Sequence, residues 1–190
     1  IGLQSTSAAI HRGLDFYYFC YDNEAFSNTG FQMSSATPFG SRTSTSFPEK
    51  INPEGTVQKK KDLFEIWRSH KPPYLATISP SHPVDLSNKF EKASRYKGPK
   101  LFIAFSPCPP GWSFGSSKSV NVAKLAVQTG LLPLKEAVDG KVEHTVIPKF
   151  KPVEEYLKTQ ERYAHLFEPT KQVDIINTIQ KDIDDYWKRY

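Results

Sequence analysis

Hydrophobic and polar positions along the chain follow two periods, one helical and one extended. Residues 1–13 mix Ile1, Leu3, Ala8, Ala9 and Ile10 with small polar residues and predict a helix. Residues 16–21 then read Phe-Tyr-Tyr-Phe-Cys-Tyr, an unbroken apolar run expected of a strand covered on both faces. A long loop rich in Ser, Thr, Gly and Pro follows to about residue 58, and loops of that length are usually functional or disordered. Leu63, Ile66 and Trp67 mark one face of a predicted helix over 59–70.

The alternation continues with strands over 74–79 and 101–106 and helices over 83–97 and 116–129, the last closed by Gly130 as its cap. Helix and strand in strict alternation predict an α/β fold with a doubly wound, mostly parallel sheet. Residues 134–138 and 141–147 flank Asp139-Gly140, a hairpin turn. Residues 152–166 and 170–190 read as helices, with Val173, Ile176, Ile179, Ile183 and Trp187 striping the second. The pattern opens on a helix that should follow a strand, so the expectation is the later part of a domain, incomplete at its N-terminus. The division expected is 1–133 for the α/β domain and 134–190 for a hairpin and helical tail.

Composition adds limits. A hydrophobic share of 38% with 13 Phe, 9 Tyr and 3 Trp excludes a wholly disordered chain. No apolar run approaches the ~18 residues of a membrane span. The first residue is Ile1 and no secretory leader follows it, and two cysteines are too few for a disulfide framework, so a cytoplasmic setting is expected. The +5 charge gathers in residues 51–100, with ten Lys/Arg against five Asp/Glu. Lys59-Lys60-Lys61 reads either as a solvated junction or as a dock for an acidic protein. Nucleic acid is not favoured, because aromatic and basic residues do not interleave there.

The candidate chemistry sits in 22–32, Asp-Asn-Glu-Ala-Phe-Ser-Asn-Thr-Gly-Phe-Gln, at the carboxyl end of a predicted strand, where open α/β sheets bind ligands. The Asn23 side-chain oxygen and the Ala25 carbonyl make a pair of hard donors suited to Mg²⁺. Asn28, Thr29 and Gly30 supply an amide, a hydroxyl and a backbone that a ligand can approach. A plain polar turn leaving a strand is the competing reading. Residues 111–119 miss the spacing of a phosphate loop, and the five histidines show no metal spacing. Asp182, Asp184 and Asp185 read as a solvated helix face.

The run DNEAFSNTGFQMSSATPFG closely resembles the β subunit of 2-oxoacid:ferredoxin oxidoreductases, the pyruvate enzymes in particular. So do IGLQSTSAAIHRGLDFYYFCYDNE, SPCPPGW, LAVQTGLLPLKE and KPVEEYLKTQERYAHL, and the likeness runs to about Leu166. The resemblance implies a thiamine-diphosphate-binding fold and a cofactor site drawing on Ile1, Gly2, Asp22, Asn23, Ala25, Asn28, Thr29 and Gly30. Asn23 (side chain) and Ala25 (carbonyl) would ligate Mg²⁺, and Thr29 and Gly30 would lie near the diphosphate. Asn28 would be the catalytic residue beside the thiazolium and substrate; relatives acting on 2-oxoglutarate tend to carry an apolar residue there. Cys108 would be the fourth ligand of a [4Fe–4S] cluster, whereas Cys20, mid-strand among aromatics, reads as packing.

The implied reaction is oxidative decarboxylation of pyruvate or a related small 2-oxoacid, with acyl transfer to coenzyme A and electrons passed to ferredoxin. The family's Gly-Asp-Gly and its other three cluster cysteines are expected upstream of Ile1. Partners implied are that N-terminal part of the β subunit, an α subunit with or without γ and δ, ferredoxin and coenzyme A, with no nucleic acid and no membrane. The alternatives are a non-catalytic assembly module of the same fold, or a relative acting on oxalate or an aryl-glyoxylate.

Overall fold

Five strands carry the apolar runs: β1 (Phe16–Asp22), β2 (Tyr74–Ile78), β3 (Pro99–Phe105), β4 (Lys135–Val138) and β5 (Lys141–His144). In the computed structural model, which describes residues 2–190, they form one sheet in the order β1-β3-β2-β4-β5. β1, β3 and β2 are parallel, with Cys20 opposite Ile103 and Leu75 opposite Leu101. The hairpin β4–β5 is antiparallel to β2, so it completes the same sheet. Asp139 and Gly140 both have positive φ, 48° and 81°, as the predicted tight turn requires.

The sheet unit comprises the chain up to Asp22, Asp62–Ser106 and Pro133–Ile147. Strand period two divides its side chains between two cores. On one face, α1 (Leu3–His11) brings Ile10 and α2 (Leu63–Arg68) brings Phe64 and Trp67 against Cys20, Leu75, Leu101 and Ile103. On the other, α3 (Pro83–Ala93) lays Leu86, Phe90 and Ala93 on Tyr74, Ala76, Ile78 and Phe102. Each such large apolar side chain, fully buried, stabilises the unit by about 1.5–3 kcal/mol.

Two expectations change. The run 16–21 is not covered on both faces: β1 is the sheet margin, and Tyr17, Phe19 and Tyr21 are 43%, 48% and 71% exposed. A tyrosine or phenylalanine can lie on a half-open face by stacking, as Phe19 does on Phe102 with ring centroids 5.1 Å apart. The helix predicted over 59–70 is only Leu63–Arg68, because the Asp62 carboxylate caps it by accepting from Glu65 N–H at 3.0 Å.

The second unit comprises Asn23–Lys61, Pro107–Leu132 and Pro148–Tyr190. Its helices are α4 (Pro109–Trp112), α5 (Ser119–Gln128), α6 (Glu154–Leu157) and α7 (Val173–Trp187). The long loop is ordered by Ser/Thr bonds: Thr56 Oγ1 donates to the Ser41 carbonyl at 2.7 Å, and Ser46 and Thr56 hydroxyls pair at 2.8 Å. α7 buries Ile175, Ile176, Ile179 and Ile183, while Val173 is half-exposed. Gly130 caps α5 with φ +78°, and Trp187 Nε1–H donates to its carbonyl at 2.9 Å. The helix predicted over 152–166 breaks after Leu157 into a 3₁₀ segment at Glu161–Leu166. Gln160 is extended at the break and accepts from Arg162 Nε at 2.8 Å, which turns Arg162 inward.

Candidate functional site

Asn23 directly follows β1, and its side chain folds back over the next turn. Asn23 Oδ1 accepts from Ala25 N–H at 3.4 Å, a long bond that leaves lone-pair capacity on the oxygen. Among the described residues no donor takes up the Ala25 carbonyl, although Ala25 is buried. Buried carbonyls are normally partnered, and both this oxygen and the Asn23 amide oxygen are of the hard type that Mg²⁺ takes.

Residues 27–31 form a small closed loop. Phe26 N–H donates to the Gln32 carbonyl at 2.9 Å, the bridge that closes it. Thr29 Oγ1 donates to Gln32 Oε1, and Gln32 Nε2 returns a bond to the Thr29 carbonyl at 2.6 Å. Gly30 takes φ +115°, a conformation that side-chain-bearing residues rarely adopt. Asn28, Thr29 and Gly30 all lie exposed on this loop.

Cys108, half-buried and free, precedes α4. The Trp112 backbone N–H donates to the Cys108 carbonyl at 2.8 Å, and Trp112 Nε1–H donates to the Asn23 carbonyl at 3.1 Å. Gly111 lies so close to the Phe31 ring that a Cβ there would stand 2.3 Å from Cδ2. The structure therefore brings the Cys108 turn against the 23–32 segment. Among the described residues no three His, Cys, Asp or Glu side chains form a metal site. The free Cys108 thiol is of the kind that iron–sulfur clusters take as ligands. Cys20 packs in the sheet core, as expected.

Gly2 and Asp22 belong to the sheet unit. Gly2 starts α1, its carbonyl accepting from Thr6 N–H at 2.9 Å, and the Asp22 carbonyl accepts from Ser106 N–H at 3.0 Å. Ile1 lies outside the described residues.

Sequence reasoning missed Glu24. It stands in the left-handed region at φ 64°, and its carboxylate is buried between Lys60 Nζ at 2.8 Å and Arg162 Nη2 at 2.7 Å. Burial alone would raise its pKa, but Lys60 and Arg162 together hold it below the usual carboxylate value. Arg162 is buried too, stacks 3.7 Å from the Trp112 ring centroid and donates to Tyr156 Oη at 3.0 Å. Lys59 pairs with Asp182 at 2.6 Å, so the basic run is only partly solvated. A lone Glu between Asn23 and Ala25 was the only local hint of this network.

An α/β sheet followed at β1's carboxyl end by an oxygen-donor loop defines a cofactor-binding domain. Residues 1–104 match the family described as thiamine pyrophosphate enzyme, C-terminal TPP binding domain, and the chain belongs to that family. It is 43% identical over 189 residues to pyruvate synthase subunit PorB of Methanocaldococcus jannaschii, covering 99% of this chain and 61% of that protein. Identity is also 43% over 190 residues to PorB of Thermotoga maritima, covering 100% of this chain and 58% of that protein. Ketoisovalerate oxidoreductase subunit VorB of Pyrococcus furiosus is 41% identical over 192 residues, covering 100% of this chain and 60% of that protein. The chain thus spans about three fifths of the curated relatives it matches. No helix among the described residues is long and apolar enough to cross a membrane.

Proposed function

We propose that this chain is part of the β subunit of a 2-oxoacid:ferredoxin oxidoreductase, acting on pyruvate and releasing acyl-CoA and CO₂. The observation that carries the reading is 43% identity to PorB across 99% of the chain, joined to the Asn23 side-chain oxygen, which carries one long bond, and the Ala25 carbonyl. Bound thiamine diphosphate would supply a carbon nucleophile able to take the carboxyl-bearing keto carbon and hold the electrons left by CO₂. Asn23 and Ala25 would hold Mg²⁺, which would supply charge neutralisation for the diphosphate, and Thr29 and Gly30 would offer the closed loop's backbone to the same group. Asn28, exposed on that loop, presents an amide that orients the 2-oxoacid. Cys108 would provide one thiolate of a [4Fe–4S] cluster, which when bound would supply one-electron transfer toward ferredoxin.

The cofactor-holding residues fall within 1–133. Residues 134–190 add the hairpin and, through Arg162, the anchor of Glu24. The remaining cluster thiolates, the second Mg²⁺ carboxylate and the coenzyme A site belong to the rest of the β subunit and to α, γ and δ partners, in a cytoplasmic assembly. The likeness to VorB favours a branched 2-oxoacid as the second reading of the substrate.

The test is the assembly purified anaerobically from its source. Thiamine diphosphate and iron in stoichiometric amounts, with coenzyme A-dependent dye reduction by pyruvate, are expected. A purified assembly that contains this chain but neither cofactor would overturn the reading in favour of a non-catalytic module. Faster turnover of 2-oxoisovalerate, oxalate or an aryl-glyoxylate would reassign the substrate.

A further inference from the structure

Arg162, in the second unit, touches both halves of the candidate site. Its Nη2 bonds Glu24, the residue between Asn23 and Ala25, and its guanidinium lies flat on Trp112, the last residue of the turn that begins at Cys108. Trp112 closes the circuit with its indole N–H on the Asn23 carbonyl. Glu24 is fixed from its backbone as well, because its carbonyl accepts from Thr37 Oγ1 at 2.7 Å. Arg162, Trp112 and Glu24 are 1%, 0% and 3% exposed, so water does not compete for these contacts. Gly111 on Phe31 adds a second, apolar contact between the same two segments.

We infer that Arg162 is a positioning residue that sets the Asn23–Ala25 donor pair and the Cys108 turn in one fixed register, through Glu24 on one side and Trp112 on the other. This rests on the proposed roles of Asn23, Ala25 and Cys108. Guanidinium and ammonium are not equivalent here. Either can neutralise Glu24, but only the planar guanidinium can do so while stacked on the indole.

The variants Trp112→Phe and Arg162→Lys, each built into the whole assembly, separate the two sides. Trp112→Phe removes the bond to the Asn23 carbonyl, and the Mg²⁺ concentration for half-maximal thiamine diphosphate retention is expected to rise about tenfold. Its iron content should stay at the wild-type level while the electron paramagnetic resonance line shape of the reduced cluster changes. Arg162→Lys is expected to keep near-normal Mg²⁺ dependence and still alter that line shape. A general loss of packing would not split the two readouts in this way. If Arg162→Lys does not fold, Trp112→Phe alone decides. Unchanged Mg²⁺ dependence and line shape in Trp112→Phe overturn the inference, provided Asn23→Ala weakens cofactor retention and Cys108→Ala loses iron. If those two variants behave as wild type, it is the function reading that fails.

Discussion

Glu24 and Arg162, separated by 138 positions in sequence, form an ion pair at 2.7 Å with both side chains buried. Removing Arg162 leaves the buried Glu24 carboxylate to Lys60 and takes away the guanidinium packed against Trp112. Arg162→Met is therefore expected to destabilise the chain by about 3–5 kcal/mol. The double variant Glu24→Gln/Arg162→Met should recover part of that loss. A denaturant double-mutant cycle measures it, and simple additivity would show that the two charges are not coupled.

Gly111 has no room for a side chain beside the Phe31 ring. Gly111→Ala should cost about 1–3 kcal/mol through overpacking, and Phe31→Leu in the same chain should relieve it. Thermal melting of wild type and the two variants tests this, and a Gly111→Ala protein as stable as wild type would contradict the contact.

Folds and sites differ in how far sequence reveals them. The runs that became β2 and β3 are apolar at nearly every position, so buried parallel strands were the natural reading. Asp139-Gly140 named its own turn, and Gly130 its own cap. The proposed oxygen donors of 23–30 could be picked out in the sequence because their chemistry is local. The Glu24–Arg162 pair was not, since no short-range pattern links residues so distant. The same pairing explains why the helix over 152–166 breaks: Arg162 turns inward from a 3₁₀ segment to reach Glu24. The run at 16–21 misled in a different way, because aromatic composition alone does not distinguish a half-open margin from a buried strand.

Stability should fall on the alkaline side. Burial raises the Tyr163 phenol from its ordinary 10.0 to about 12, against the opposing pull of Arg162, and Tyr156 is raised as well. A group whose folded pKa lies above its unfolded value contributes its full stability below the unfolded pKa. That contribution disappears as pH climbs from 10 to about 12. Unfolding free energies at pH 9, 10 and 11 should decline more shallowly in Tyr163→Phe than in wild type. Parallel curves would exclude this source.

Asn23→Ala removes a side-chain oxygen whose one bond among the described residues is the long one from Ala25 N–H. It should change melting of the chain by less than about 1 kcal/mol while weakening Mg²⁺-dependent thiamine diphosphate retention tenfold or more. Calorimetric titration of the assembly separates the two effects. Equal losses of stability and affinity would mean that Asn23 serves only the turn.

The position of β1 at the sheet margin has a practical consequence for anyone handling this polypeptide. Among the described residues no strand pairs the outer border of β1, and Tyr17, Phe19 and Tyr21 lie exposed on the sheet face beside it, so another copy adding its backbone there would also meet large adhesive rings. Natural edges deter such growth with a lysine or a proline, and residues 16–22 contain neither. Residues 2–190 expressed by themselves, without the upstream part proposed for the β subunit, are therefore expected to associate along this border, and Tyr21→Lys, at the most exposed of the three rings, is the smallest gatekeeper to test against it.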